Sequence, residues 1–312
     1  MILVTGGTGY VGSHIVRRLA EMGRPVRVLV HDRGRAEREG RLAGLNVEWI
    51  EGDVARPETL TAALDKVEAV IHTVAIAIEK GRGRYEDINY QGTVNVVDAA
   101  RAAGVRRLIN ISQLGADSAL PYRFLASKGR AQEYVAKSGL DWTAFRPSVI
   151  WGPEDEFANS FARLIPLTPI FFPIVGGADS LFEPVWVDDV ATAVVKALDD
   201  RSTIGKEYEL GGPEVLTLEE IERRTLAALG TRRILIRFPM LLIRLAVFFM
   251  ETLLPNPPVT RSLLELLAVR NVTTNNAIRQ FVEEPRPFTA ENAAPYMRAF
   301  RVSQTLTAFW GR

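Results

Sequence analysis

The sequence predicts an α/β fold: a doubly wound parallel sheet of the Rossmann type with a smaller interleaved C-terminal lobe. Three observations carry this. Short apolar runs alternate with helical patterns, a glycine-rich turn joins the first run to the first helix, and the regular spacing loosens past residue 152. The β-rich runs are 2–5, 26–30, 47–50, 69–73, 108–112 and 142–145. Most are nearly continuous in apolar residues, as expected where helices cover both faces of a sheet. Between them Ile15, Val16 and Leu19 share one helix face and Val94, Val97 and Ala100 another, with Gly104 a C-terminal stop.

The spacing defines the domain organisation. Residues 1–152 form a dinucleotide-binding domain, and Pro153, Pro166, Pro169, Pro173, Gly176 and Gly177 break up the stretch that follows. A strand-like 185–187, a helix over 188–199 and a strand-like 207–210 then return, so about 185–212 completes the first domain. The lobe comprises 153–184 and 213–312.

Composition excludes several classes. The 312 residues carry 38 Lys+Arg against 37 Asp+Glu and are 47% hydrophobic, which describes neither a disordered chain nor a polybasic nucleic-acid binder. There is no Cys, and the three His (His14, His31, His72) show no ligand spacing, so no metal site is expected. Met1 runs straight into Ile2, Leu3 and Val4 without a basic leader, which predicts a cytoplasmic protein.

The nucleotide site is the most legible feature. Thr5–Gly6–Gly7–Thr8–Gly9–Tyr10–Val11–Gly12 satisfies G-x-G-x-x-G through Gly7, Gly9 and Gly12, after a strand and before a helix. The glycines permit a tight turn and close backbone approach to a pyrophosphate, and the helix N-terminus presents free N–H groups to that anion. A nicotinamide dinucleotide is the expected cofactor. Past the second strand, His31–Asp32–Arg33–Gly34–Arg35 stands where an acid would meet a ribose 2′-hydroxyl or a cation a 2′-phosphate. His31, Arg33 and Arg35 favour NADP(H), with NAD(H) the alternative; a solvated loop, with Arg38 and Arg41 beside it, is the plain reading of the arginines.

Read as T-G-x-x-G-x-x-G, the same turn resembles the extended and atypical short-chain dehydrogenase/reductase superfamily, the epimerase/dehydratase-like branch. Further matches follow in order: Gly52–Asp53–Val54, His72–Thr73–Val74–Ala75, Asn89–x–x–Gly92–Thr93, Arg146–Pro147 with Gly152–Pro153, and 187–191 as V-D-D-V-A. The resemblance implies that Asp53 and Val54 lie at the adenine, that Thr73, Val74 and Ala75 line the cofactor, and that Arg146 and Pro147 border it. It also implies a catalytic Ser, Tyr and Lys. Ser112 and Lys128 match the first and last, Lys128 being one of only six lysines, but Phe124 stands four residues before Lys128 where the Tyr belongs. Tyr122, six residues before Lys128, falls off the shared helix face and could serve only if the helix starts later or the loop folds back. Without that acid the chain reads either as a binding protein or as an enzyme with a non-standard acid–base set.

Three further stretches narrow the resemblance. Residues 112–117, 146–155 and 254–260 together are similar to bacterial relatives of the NAD(P)H-binding accessory subunit of respiratory complex I. That family implies a tightly held structural NADPH, complex I subunits as partners, and a place on the inner face of the plasma membrane. The alternative is an oxidoreductase or nucleotide-sugar epimerase/dehydratase using Ser112, Lys128 and Tyr122. Residues 240–254 predict a mostly apolar helix approached by Arg232, Arg233, Arg237 and Arg244. At about 1.5 Å per residue it is too short to span a bilayer, leaving burial in the lobe or contact of 232–254 with a membrane or partner.

Overall fold

The structure, a computed structural model, describes residues 1–79, 84–174, 180–238, 240–254, 264 and 271–298. Gly176, Gly177 and the 255–260 portion of the last motif lie outside them. The first half alternates as the apolar runs require. It comprises β1 (Ile2–Thr5), α1 (Tyr10–Glu21), β2 (Val26–Val30), α2 (Arg33–Glu39), β3 (Glu48–Glu51), α3 (Leu60–Ala63), β4 (Ala69–His72), α4 (Gly92–Ala102), β5 (Arg107–Ile111), α5 (Arg123–Ala136) and β6 (Asp141–Pro147). There follow β7 (Ile150–Trp151), α6 (Ala158–Leu164), β8 (Phe171–Ile174), β9 (Leu181–Phe182), β10 (Val185–Trp186), α7 (Val187–Asp199), β11 (Lys206–Leu210), β12 (Leu216–Thr217), α8 (Leu218–Ala228), β13 (Ile234–Arg237) and α9 (Met240–Leu253).

The chain divides into two compact units. The first comprises Met1–Pro147, Val187–Leu210 and Asn275–Glu284. Its sheet has seven strands in the order β11-β6-β5-β4-β1-β2-β3, every neighbouring pair parallel. The winding reverses between β1 and β4, which pair in register from Ile2↔Ala69 to Thr5↔His72. A sheet that reverses its winding leaves a crevice at the carboxyl ends of those two strands, where loops to opposite faces diverge.

Helices α1 and α7 pack together on one face of this sheet and α3, α4 and α5 on the other. On the latter face Leu3, Val70, Leu108, Val96, Val97 and Val135 are buried in one cluster. Polar staples join α1 to α7: His14 Nδ1 lies 2.6 Å from Asp188 Oδ1, and Arg24 donates to both oxygens of Asp199 at 2.6 and 3.2 Å. Gly104, at φ +74° just past α4, takes the left-handed conformation that ends that helix. Val94 is only half-buried, and Val96 takes its place in the core beside Val97.

The second unit comprises Ser148–Trp186, Gly211–Thr274 and Pro285–Arg312. It is built from short two-stranded pairs (β10 with β7, β12 with β9, β13 with β8) and helices, α8 packing against both α6 and Ala290–Met297. Trp151 is fully buried among Trp186 and Phe288, with ring centroids 4.4 and 5.2 Å away. Among the described side chains of helix α9 only Ile243 and Val247 are buried, while Leu241, Leu242, Leu245, Phe248, Phe249 and Leu253 are exposed. The face of this helix that meets solvent is thus largely apolar, unlike that of an ordinary surface helix.

Candidate functional site

The glycine-rich turn occupies the β1 end of the crevice. Gly6 has φ +75°, which a side chain rarely adopts, and a Cβ there would lie 2.6 Å from Thr73 Oγ1. A Cβ on Gly12 would lie 2.1 Å from the Gly6 carbonyl oxygen, and one on Gly7 2.8 Å from Val28. Gly9 N–H donates to that same Gly6 oxygen at 2.9 Å. Gly9 caps α1 without a side-chain bond and no acid stands in the first turn, so the N–H groups of Tyr10, Val11 and Gly12 present the positive end of the helix to the turn. The Thr8 carbonyl accepts a bond from Arg41 Nη1 at 2.9 Å.

β4 is locked to β1 beneath this turn. Thr73 donates to the Thr5 carbonyl through both its N–H (3.1 Å) and its hydroxyl (2.9 Å). Thr93 Oγ1 donates to the Asn89 carbonyl at 2.7 Å, so its oxygen accepts from His72 Nε2–H at 3.0 Å. His72 Nδ1 is then the acceptor for the Thr5 hydroxyl at 2.7 Å. Burial, aided by the Lys128 charge, pushes the His72 pKa down to about 3, so the imidazole stays neutral at physiological pH. Asn89, fully buried, clamps the next stretch: its Oδ1 accepts from Ile76 N–H and its Nδ2 donates to Ile76 O. Thr73, Val74 and Ala75 are thereby held along the crevice.

At the adjoining end of β5, Lys128 Nζ donates to the Ile111 carbonyl at 2.7 Å, one residue before Ser112. Lys128 is buried, which lowers its pKa to about 8. The Ser112 hydroxyl is buried and has no hydrogen-bond partner among the described residues. Phe124 is buried edge-on against Tyr85, with centroids 5.6 Å apart, and that phenol donates to Ala77 O. Tyr122 is the N-cap of α5, so the helix does start after it, yet Tyr122 forms no hydrogen bond with Ser112 or Lys128.

The remaining predicted residues divide. Asp53 Oδ1 accepts from Ala55 N–H at 2.8 Å, while its Oδ2 lies 3.6 Å from both His31 Nδ1 and Arg56 Nε. Val54 is buried, and its carbonyl accepts from Asn95. Arg33 and Arg35 lie along α2, paired with Glu37 and Glu39 at 2.8 Å each. Arg146 and Pro147 brace the loop past Ser112: Arg146 Nη2 donates to Ala116 O and the Pro147 carbonyl accepts from Leu114. Asn89 and Thr93 entered the sequence reading only as a helix start. Arg41 and Tyr85 carry no motif, so nothing in the order of residues marks them.

These features fit a dinucleotide: a turn with no room for side chains where a pyrophosphate would rest, and an unsatisfied hydroxyl beside a buried ammonium at the far end of the crevice. Among the described residues no cluster of His, Asp or Glu is arranged to hold a metal. Fold and site define a dinucleotide-binding Rossmann protein. A family profile described as NAD(P)H-binding matches residues 6–201, and the chain belongs to that family; its cofactor is a nicotinamide dinucleotide.

The relatives are of two kinds. The chain is 34% identical to the mitochondrial "NADH dehydrogenase [ubiquinone] 1 alpha subcomplex subunit 9" of Arabidopsis thaliana over 70% of its own length. It spans 55% of that longer protein. It is also 31% identical to "2-alkyl-3-oxoalkanoate reductase" of Stenotrophomonas maltophilia, over 75% of this chain and 77% of that one. Among solved structures, that of gox2253 superposes with a TM-score of 0.73 at 26% identity, covering 96% of this chain and 98% of the other.

Two outcomes follow from the site. Gly12→Ala drives a methyl into the Gly6 carbonyl; it should destabilise the protein by about 1–3 kcal/mol in urea unfolding and strip it of nucleotide. Gly23→Ala, with open space around it, should cost about 1 kcal/mol for its positive φ and leave binding intact. Burial lowers the Lys128 pKa below its unfolded value, so the unfolded chain binds the extra proton between about pH 8 and pH 10.5 and folding stability rises with pH across that window. Lys128→Met should therefore stabilise the nucleotide-free protein at pH 7 by up to about 2 kcal/mol, after the lost bond to Ile111 is discounted. The gain should shrink as the pH rises from 8 towards 10.5, which thermal melts across pH would record.

Proposed function

We propose that this protein is a dinucleotide-holding accessory or assembly protein of a membrane NADH:quinone oxidoreductase, retaining NADPH as a structural cofactor. One observation carries the reading. Ser112 and Lys128 stand at the end of β5, but the position that would share a helix face with Lys128 is filled by Phe124, packed against Tyr85. Bound NADPH supplies a hydride. In this reading the chain's own groups bind and orient it without supplying the proton that turnover of a carbonyl requires. The α1 N-terminus would hold the pyrophosphate, Asp53 the adenine amino group, and Lys128 and Ser112 the nicotinamide ribose. The kinship to the plant subunit supports the role.

A cofactor present at about 100 times its Kd adds roughly 2.7 kcal/mol to folding stability. Denaturing freshly purified protein should release close to one NADPH per chain, identified by chromatography, and the stripped protein should melt lower. An empty site that exchanges added NADPH rapidly would instead favour the reductase reading, to which the Stenotrophomonas relative lends support. In that case Tyr122→Phe should abolish turnover.

The exposed face of α9 supports the membrane part of the proposal. No helix among the described residues is long and apolar enough to cross a membrane. The six exposed apolar residues of α9 suit shallow insertion along the surface. Residues 232–254 carry four arginines against the single acid Glu251, which suits anionic headgroups. The protein should float with vesicles containing phosphatidylglycerol and less with pure phosphatidylcholine. Leu245→Glu with Phe249→Glu should abolish flotation without lowering the melting temperature, because both side chains already face solvent.

A further inference from the structure

We infer that Arg146 positions the Ser112 hydroxyl for the dinucleotide by donating to it from Nε, with Glu207 and Gln132 holding the guanidinium in place; the inference rests on the reading above that Ser112 meets the nicotinamide ribose. β5 and β6 pair in parallel up to Ile111↔Phe145. The ladder runs on past the end of β5, since Ser112 N–H donates to Phe145 O at 2.8 Å and Leu114 N–H to Pro147 O at 2.9 Å. Ser112 therefore stands beside Arg146, and residues paired across two strands turn their side chains to the same face. That face is the one under α5, because Asn110, two residues before Ser112, donates to Gln132 of α5 at 2.8 Å.

A relay of side chains fixes the guanidinium there. Gln132 follows Lys128 by one helical turn; its Oε1 takes the Asn110 bond and its Nε2 donates to Glu207 Oε1 of β11 at 3.0 Å. Glu207 Oε2 in turn pairs with Arg146 Nη1 at 3.4 Å, and Arg146 Nη2 donates to Ala116 O at 3.0 Å. Both ends of the guanidinium fork are thus tied, one to β11 and one to the loop that follows Ser112. What remains is Nε, which is buried and without a partner among the described residues, as is the neighbouring Ser112 hydroxyl. A buried donor and a buried acceptor are each costly when left unmade, and one bond between them satisfies both. That bond also sets the hydroxyl. Serine has one O–H and two lone pairs, so with a lone pair taken by a cationic N–H its proton is left to point at a ligand in the crevice, in a fixed direction where a free rotor would have none. Arg146 is then a positioning residue, acting on the ligand through Ser112.

The test is fluorescence titration of nucleotide-free wild type, Ser112→Ala, Arg146→Lys and the double variant with NADPH, and calorimetry of the same four with adenosine 2′,5′-bisphosphate, which lacks the nicotinamide half. Arg146→Lys keeps the positive charge beside Glu207 and removes Nε–H. It should weaken NADPH by about 5- to 20-fold, as Ser112→Ala should, and change the bisphosphate by less than about twofold. In the Ser112→Ala background the same substitution should have almost no further effect, because both act through one hydroxyl. Glu207→Ala, at an exposed position, should weaken NADPH by a smaller factor and leave the bisphosphate unchanged. If Arg146→Lys weakens both ligands equally, or its loss adds in full to that of Ser112→Ala, Arg146 does not act through Ser112 and the proposal is overturned. If Arg146→Lys changes neither ligand while Ser112→Ala weakens NADPH, the proposal is overturned and the reading of Ser112 stands. A Ser112→Ala variant that binds NADPH as tightly as wild type overturns both.

Discussion

A side chain at residue 12 would begin 2.1 Å from the carbonyl oxygen of Gly6, and this backbone-to-backbone contact is what the rest of the site depends on. It draws the first turn of α1 against the end of β1, so that unsatisfied N–H groups face the crevice where the sheet reverses its winding. The contact has no adjustable part. Both partners are main chain, and main chain can yield only by moving a strand or a helix. The neighbouring ties, Thr73 on the Thr5 carbonyl and His72 between Thr5 and Thr93, extend the same rigidity to β4.

From that edge the crevice continues to the end of β5, where the polar groups are desolvated before any ligand arrives. A buried ammonium at Lys128 and an unsatisfied hydroxyl at Ser112 each cost folding free energy. Such costs are tolerable where a ligand offsets them, and binding to the folded state alone supplies that offset. On the reading proposed above, occupancy of the crevice would stabilise the protein. The Phe124 ring is consistent with that economy, since it fills the space beside Tyr85 with apolar contact and adds no further polar group to be desolvated.

Cofactor binding and the proposed surface attachment would draw on different parts of the chain. The dinucleotide crevice lies wholly in the first unit, on rigid sheet ends. The apolar face of α9 belongs to the second, on a helix that turns little more than one narrow stripe inward.

Much of this was legible in the order of residues. Continuous apolar runs dictate a sheet covered on both faces, because a strand with no polar side can be buried only between two layers. Glycine at 6, 9 and 12 dictates the turn, because φ and close approach are local properties. The absence of a Tyr four residues before Lys128 is likewise a matter of spacing on one helix. What spacing could not supply is whatever depends on which segments meet. Asp53 reaches towards His31, and Ser112 lies next to the anchor of Lys128, only because β5, β4, β1, β2 and β3 stand side by side. Arg33 and Arg35 stand out along the chain, yet they pair with glutamates of their own helix, while Arg41, which the order of residues does not mark, returns to Thr8. Whether α9 was covered or exposed was equally open, since its apolar pattern suits either setting. Local conformation is written in neighbouring residues; partners brought together from distant positions are chosen by the packing of the whole chain, and only the tertiary structure decided them.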